Sequence, residues 1–140
     1  MSFVGNCTHS MDAKKRVFVP AKYRVDLGDE FYITRKIDNC LAIYTADDWD
    51  VYVDKISKLP DSKARKLKEF VLSFAQKCTP DASGRIIIDD ALLKYADIKK
   101  NVVFAGNGQV INIWAEEAWV KRQSGFDPEE ILSIMSEFEL

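Results

Sequence analysis

The 140-residue chain has no apolar run of membrane-spanning length and no segment built like a secretory signal. It has no Gly-rich loop of the kind that cradles a phosphate, since Gly106-x-Gly108 alone reads as a hairpin turn. Its cysteines, Cys7, Cys40 and Cys78, are odd in number and far apart. That pattern offers no compact metal-ligand set and fits reduced thiols in an intracellular protein. Histidine is nearly absent. The one copy, His9, sits two residues from Cys7 on an expected strand, so the two share a face. A thiol enzyme could use such a pair, but no partnered carboxylate accompanies it. A net charge of −2 supplies no global basic field.

Charge is present in a local pattern instead. Lys14, Lys15, Arg16, Lys22 and Arg24 crowd the first 24 residues against Asp12 alone. The last 16 residues carry Asp127, Glu129, Glu130, Glu137 and Glu139 and no base. A basic head and an acidic tail point to a polyanion partner at one end.

The chain also says nearly the same thing twice. Asp12-Ala13-Lys14-Lys15-Arg16-Val17-Phe18-Val19 is answered by Asp81-Ala82-Ser83-Gly84-Arg85-Ile86-Ile87-Ile88. Both read Asp-x-x-x-Arg followed by three apolar residues. A second pair of segments ends on Trp49 and Trp119. The offset is 69 positions from Asp12 to Asp81 and 70 from Trp49 to Trp119, and one small insertion or deletion accounts for the difference. Each half, at about 70 residues, is marginal for a core of its own. The halves are therefore expected to share one.

The expected elements follow that repeat. Residues 3–10 read as a strand, 12–15 as a turn and 16–19 as a short strand stopped by Pro20, which suits a helix's first turn. A helix over 21–27 ends near Gly28. Strands over 31–34 and 40–44 form a hairpin around Ile37-Asp38-Asn39. Thr45 caps the next helix, which carries Trp49, Val53 and Ile56 on one side. After a break at Leu59-Pro60-Asp61, the spacing of Ala64, Leu67, Val71, Phe74 and Ala75 predicts a helix over 62–77. The second copy turns its hairpin at Gly106-Asn107-Gly108. A last helix starts near Asp127-Pro128 with Ile131, Leu132, Met135 and Phe138 in one stripe. The organisation expected is a first module over 5–56, a linker helix over 57–77, a second module over 78–124 and a C-terminal helix over 125–140.

Phe3-x-Gly5-x-x-x-x-His9-x-x-Asp12-x-Lys14-x-Arg16-Val17-x-Val19-Pro20-Ala21-Lys22-Tyr23-Arg24 resembles the opening of the MraZ family. Asp81-x-x-Gly84-Arg85-Ile86-x-Ile88, with Ile113-Trp114 and Trp119 downstream, resembles that family's second half. The resemblance covers essentially the whole chain. It implies an α+β fold: two tandem AbrB-like swapped-hairpin modules forming one pseudo-twofold β-barrel core with flanking helices. It implies a cytoplasmic, nucleoid-associated transcription factor, generally a repressor of the division and cell-wall operon. It further implies direct DNA repeats upstream of its own gene as target and assembly of the subunits into rings. The Asp-x-x-x-Arg turns are that family's DNA-contact motif. The chain departs from the pattern with Lys15 in place of Gly, Asp89 in place of Pro and Leu93 in place of a common Arg. On that count the second turn is the less basic.

The residue chemistry agrees with a DNA reader. Arg16 and Arg85 present planar forks that match guanine O6 and N7 or a phosphate. Lys14, Lys15, Lys22 and Arg24 suit phosphates, which give affinity without sequence information. Asp12 and Asp81 are expected to accept turn N–H groups and orient the arginines, and Gly84 to permit positive φ. Another reading makes each Asp–Arg pair a purely structural hairpin clamp. Two rival functions stand beside the regulator: an antidote or adaptor that acts mainly through a protein partner, and a thiol enzyme built on Cys7 and His9. No catalytic residue, metal, cofactor, small-molecule substrate or membrane association is expected of the regulator.

Overall fold

The computed structural model describes residues 2–140. The first copy folds as β1 (Asn6–Ser10), β2 (Arg16–Phe18), α1 (Ala21–Leu27), β3 (Phe31–Lys36), β4 (Cys40–Thr45) and α2 (Ala46–Ser57). After α3 (Asp61–Leu67) and one π-helical turn (Lys68–Leu72), the second copy repeats the order. It runs β5 (Gln76–Cys78), β6 (Arg85–Ile87), α4 (Asp90–Tyr95), β7 (Asn101–Asn107), β8 (Val110–Ala115) and α5 (Glu116–Ser124). Helix α6 (Pro128–Glu137) closes the chain.

Six strands form one antiparallel sheet in the order β1-β7-β8-β4-β3-β5, and β2 pairs with β6 in a separate ribbon. A pseudo-twofold axis passes between β4 and β8, where Ala42 faces Asn112, its own repeat counterpart. The same axis crosses the ribbon at Val17 opposite Ile86. The outer strands are exchanged. Strand β1 of the first copy pairs with β7 of the second, and β5 pairs with β3. His9 opposite Val102 is thus the counterpart of Cys78 opposite Phe31. This is the tandem swapped-hairpin arrangement in an α+β protein.

One core lies between sheet and ribbon. Val17 and Ile86 from the ribbon meet Phe31, Ile33, Ile43, Phe104, Ile111 and Ile113 from the sheet, with Tyr23 of α1 and Leu92 of α4 closing the ends. Burying each such side chain stabilises the fold by about 1.5–3 kcal/mol. Both halves contribute, so neither owns the core. Trp49 packs in a satellite cluster with Ile56 and Val71, stacked on Tyr32 at 5.0 Å between ring centroids. Trp114 and Trp119 sit together on the second copy.

Local signals hold in most places. Thr45 Oγ1 accepts the Asp48 N–H at 3.2 Å and caps α2. Asp38 and Asn39 take positive φ in the three-residue loop joining β3 to β4. The other hairpin turns one step later than its glycines predict. Asn107 pairs with Val110, leaving Gly108-Gln109 as the loop, and Gly106 belongs to β7. Gly106 is needed there for approach. A Cβ at that position would lie 2.5 Å from the backbone of Phe3 and Val4, whose segment bonds back across it.

The helix predicted over 62–77 is shorter than its periodicity. It stops at Leu67, widens into the π turn and gives way to β5. Thr34 Oγ1 donates to the Val71 carbonyl at 2.5 Å and Arg35 Nε to the Phe70 carbonyl at 2.9 Å. These bonds serve carbonyls that a continuing helix would have used. Gln76, Lys77 and Cys78 then cover the free edge of β3. No window of local sequence contains that edge.

Candidate nucleic-acid interface

Each turn is built on one aspartate. Asp12 Oδ1 accepts the N–H groups of Lys14 (2.9 Å) and Arg16 (2.8 Å), and Oδ2 accepts Arg16 Nε at 2.7 Å. Asp81 repeats the pattern with Ser83, Arg85 and Arg85 Nε, all at 2.9 Å. Backbone bonds Lys15 N–H to Asp12 C=O and Gly84 N–H to Asp81 C=O close the turns at 2.9 Å each. The turn needs a left-handed residue at its fourth position. Gly84 supplies φ 87° without a Cβ, and Lys15 adopts φ 61° there.

This geometry leaves the arginines aimed. Nε of each is committed to its aspartate, and among the described residues neither Arg16 nor Arg85 uses an Nη atom. The terminal nitrogens form the edge that reads a base or holds a phosphate. Pairing β2 with β6 puts both arginines on one ribbon, at diagonal corners, with Arg16 opposite Ile87 and Phe18 opposite Arg85. A cleft of about 310 Å³ between Arg16, Arg85, Asp81 and Lys77 runs beside them.

Both carboxyls are held below the ordinary aspartate value of 3.8. The chief cause is the backbone N–H of the motif arginine, aided by its guanidinium and by the N–H two residues after the aspartate. Lowered folded values mean that the charged carboxylates stabilise the fold fully above the unfolded value and cease to do so as pH falls through the folded one. Asp12→Asn and Asp81→Asn should therefore be less stable than the wild type at neutral pH. The gap should hold down to about pH 4 and close only below it. Urea midpoints measured across that range check this, and a gap that closes near neutrality would point to another group.

The two copies exchange charges across the pseudo-twofold. Arg24, from the first copy, reaches the second turn. Its Nη1 lies 3.5 Å from the Ser83 carbonyl, and a Cβ on Gly84 would come within 2.2 Å of it. Lys15, in the first turn, is paired at 3.1 Å with Asp90 at the start of α4. Composition makes the second turn the less basic, but folding brings a cation to it and ties one up at the first. Lys14 stands exposed and has no ion pair among the described residues. Lys22 has other neighbours: its ammonium lies 5.1 Å from the Tyr23 ring and beside Gly5.

Asp90 as a partner of Lys15 escapes sequence reasoning because the two are 75 residues apart. So does Gln76, which donates to the Ile87 carbonyl and accepts the Asp89 N–H, fixing the end of β6. Cys7 and His9 share a half-buried face of β1. Burial pushes the Cys7 thiol up, with Lys22 opposing it, and His9 meets Phe104 edge-on at 6.0 Å between centroids. Cys78 is pushed up to about 12 by burial. Among the described residues no group of three or more His, Cys, Asp or Glu side chains could hold a metal, and no helix is long and apolar enough to cross a membrane.

The family model described as "MraZ protein, putative antitoxin-like" matches residues 2–69 and 71–131, one segment for each copy of the fold. Curated relatives named "Transcriptional regulator MraZ" align along nearly the whole chain. The protein of Clostridium tetani is 38% identical over 138 residues, covering 96% of this chain and 97% of its own. That of Caldanaerobacter subterraneus subsp. tengcongensis is 37% identical over 141 residues, covering 98% and 99%. That of Natranaerobius thermophilus is 44% identical over 119 residues, covering 84% and 83%. With two matching turns, two exchanged strands and relatives of this extent, the chain belongs to the MraZ family.

Proposed function

We propose that the chain is a transcriptional regulator that binds double-stranded DNA sequence-specifically, and that it is not an enzyme. The observation that carries this reading is the pair of aspartate-anchored arginines on one ribbon, each with its terminal nitrogens unused among the described residues. The backbone bonds and the Nε contact suffice to clamp each turn, which leaves the terminal nitrogens of both arginines available to a ligand. Arg16 and Arg85 read bases; Lys14, Arg24 and, more weakly, Lys15 and Lys22 hold phosphates; Asp12, Asp81 and Gly84 shape the turns. The target is a set of direct repeats upstream of its own operon in the division and cell-wall gene cluster, where the protein represses from the nucleoid. The functional units are a first module over 5–56, a linker over 57–77, a second module over 78–124 and a tail.

The test is equilibrium binding of the full chain to a duplex spanning the region upstream of its gene, against shuffled duplexes, over a salt series. Specific binding should exceed non-specific binding by at least about a thousandfold. Its logarithm should fall linearly with the logarithm of salt. Equal affinity for both duplexes defeats the reading.

A few cations per subunit give weak binding, so useful affinity needs several subunits on adjacent repeats. Helix α6 supports self-association. Ile131, Leu132, Met135 and Phe138 are all exposed, and none joins a core cluster of its own subunit. Asp127 caps the helix by accepting the Glu129 N–H at 3.0 Å, so the apolar stripe is preformed. We assign it to a neighbouring copy within a ring. Deletion after Ser124 should reduce the sedimenting species to smaller ones and weaken binding to a multi-repeat operator more than to a single repeat. A truncated chain that sediments as the intact assembly would free the stripe for a different protein, as in the antidote reading.

A further inference from the structure

The ribbon's outer face carries two large apolar side chains that neither the fold nor the arginine contacts account for. Val17 and Ile86 point inward and are buried at 0% and 4% exposure, whereas Phe18 and Ile87 point outward at 44% and 55%. A solvent-facing strand ordinarily places polar residues at such positions. Here the outward residues are two arginines and two hydrophobes, and each hydrophobe sits directly opposite an arginine: Arg16 with Ile87, and Phe18 with Arg85. The Arg85 guanidinium carbon is 5.9 Å from the centroid of the Phe18 ring, so the two side chains share one patch.

We infer that Phe18 and Ile87 are specificity-determining residues that contact thymine 5-methyl groups in the major groove, beside the guanines read by the arginines. The inference rests on the DNA-binding reading above. A two-stranded ribbon fits the major groove, and that groove presents the thymine methyl as its one apolar feature. The arginines on the same face fix the charge of the occupant, since a hydrophobe framed by two outward guanidiniums suits a polyanion that also offers apolar groups. The spacing agrees. Residues two apart on a strand are about 6.7 Å apart. Two base steps span about 6.8 Å. Each strand can therefore carry one guanine contact and one methyl contact two steps away. A phosphate-only surface would gain nothing from Phe18 or Ile87, and a methyl contact discriminates thymine from cytosine.

The experiment uses the full chain and duplexes that it selects from a random-sequence library. Each duplex is then resynthesised with deoxyuridine replacing thymine one position at a time, which removes the methyl alone. The wild type should lose about fourfold in affinity at each contacted position, the value of one buried methyl-sized group. Phe18→Ala and Ile87→Ala should each abolish the difference at their own position, and should bind the deoxyuridine duplex about as the wild type does. Equal wild-type affinity for thymine and deoxyuridine duplexes overturns the inference and leaves the DNA reading intact. Failure to recover any bound duplex overturns both. Variants that keep the discrimination but change sedimentation assign the patch to a contact between copies, which also overturns it.

Discussion

Replacing Arg16 and Arg85 together with alanine should abolish sequence-specific DNA binding while leaving the fold in place. Loss of one arginine–guanine contact costs about 1–3 kcal/mol, and each subunit would lose two. In an assembly that engages several repeats, the deficit is multiplied by the number of turns engaged. The single variants should fall between the wild type and the double variant. Arg85→Ala should cost at least as much as Arg16→Ala, because Arg24 adds a cation beside the second turn whereas Asp90 offsets Lys15 at the first. The fold should survive because the aspartates keep their backbone bonds when the guanidinium is gone, and an exposed ion pair contributes little. Lys14→Ala, by contrast, should lower affinity for all duplexes alike and flatten the salt dependence by about one counterion per contact. The corresponding effect of Lys15→Ala should be smaller, since Asp90 already neutralises that lysine. Anisotropy titrations with thermal melts on the same samples check the set. A double variant that binds normally would make the turns structural clamps.

What the sequence makes legible depends on range. The aspartate-anchored turns were readable because all the partners of Asp12 lie within four residues of it, and the repeat marks the pattern as deliberate. The cap at Thr45, the helix start at Asp127-Pro128 and the loop at Asp38-Asn39 are readable for the same reason. The exchange of β1 and β5 is legible only through the family resemblance, since the pairings of β1 with β7 span 91 to 99 positions (Ser10 to Asn101, Asn6 to Ala105), those of β5 with β3 span 43 to 47 (Gln76 to Ile33, Cys78 to Phe31), and no local period encodes them. The end of the helix after Leu67 was hidden because its cause, the free edge of β3, lies elsewhere in the chain. The charge exchange was hidden likewise. Counting bases near each turn assigns Arg24 to the first, and only the pseudo-twofold carries it to the second. Phe18 and Ile87 were visible as apolar residues, but their direction was not. A three-residue strand is too short for alternation to declare which face is inward, and pairing with the other strand decides it.

Separating the halves between Leu59 and Pro60 should destroy the fold of each and restore it on mixing. Among the described residues, four of the six strand pairings join one half to the other: β1–β7, β2–β6, β3–β5 and β4–β8. Each half alone keeps a single hairpin, and one hairpin is at best marginally stable in water. Val17 and Ile86 would lose each other and the sheet beneath them. The cut itself removes little, since Leu59 and Pro60 are exposed and no strand or helix crosses them. What it removes is the effective concentration that the linker provides. Residues 1–59 and 60–140 should each lack a cooperative transition as monomers. Either half could instead pair with its own copy, because the exchanged strands occupy equivalent registers in both repeats. Mixed at concentrations above their dissociation constant, the two should form a 1:1 complex with one unfolding transition, detected by native mass spectrometry and calorimetry. A cooperatively folded monomeric half, or two independent transitions in the intact chain, would mean that the repeats are separate domains and that the shared core is not what holds Arg16 and Arg85 on one ribbon.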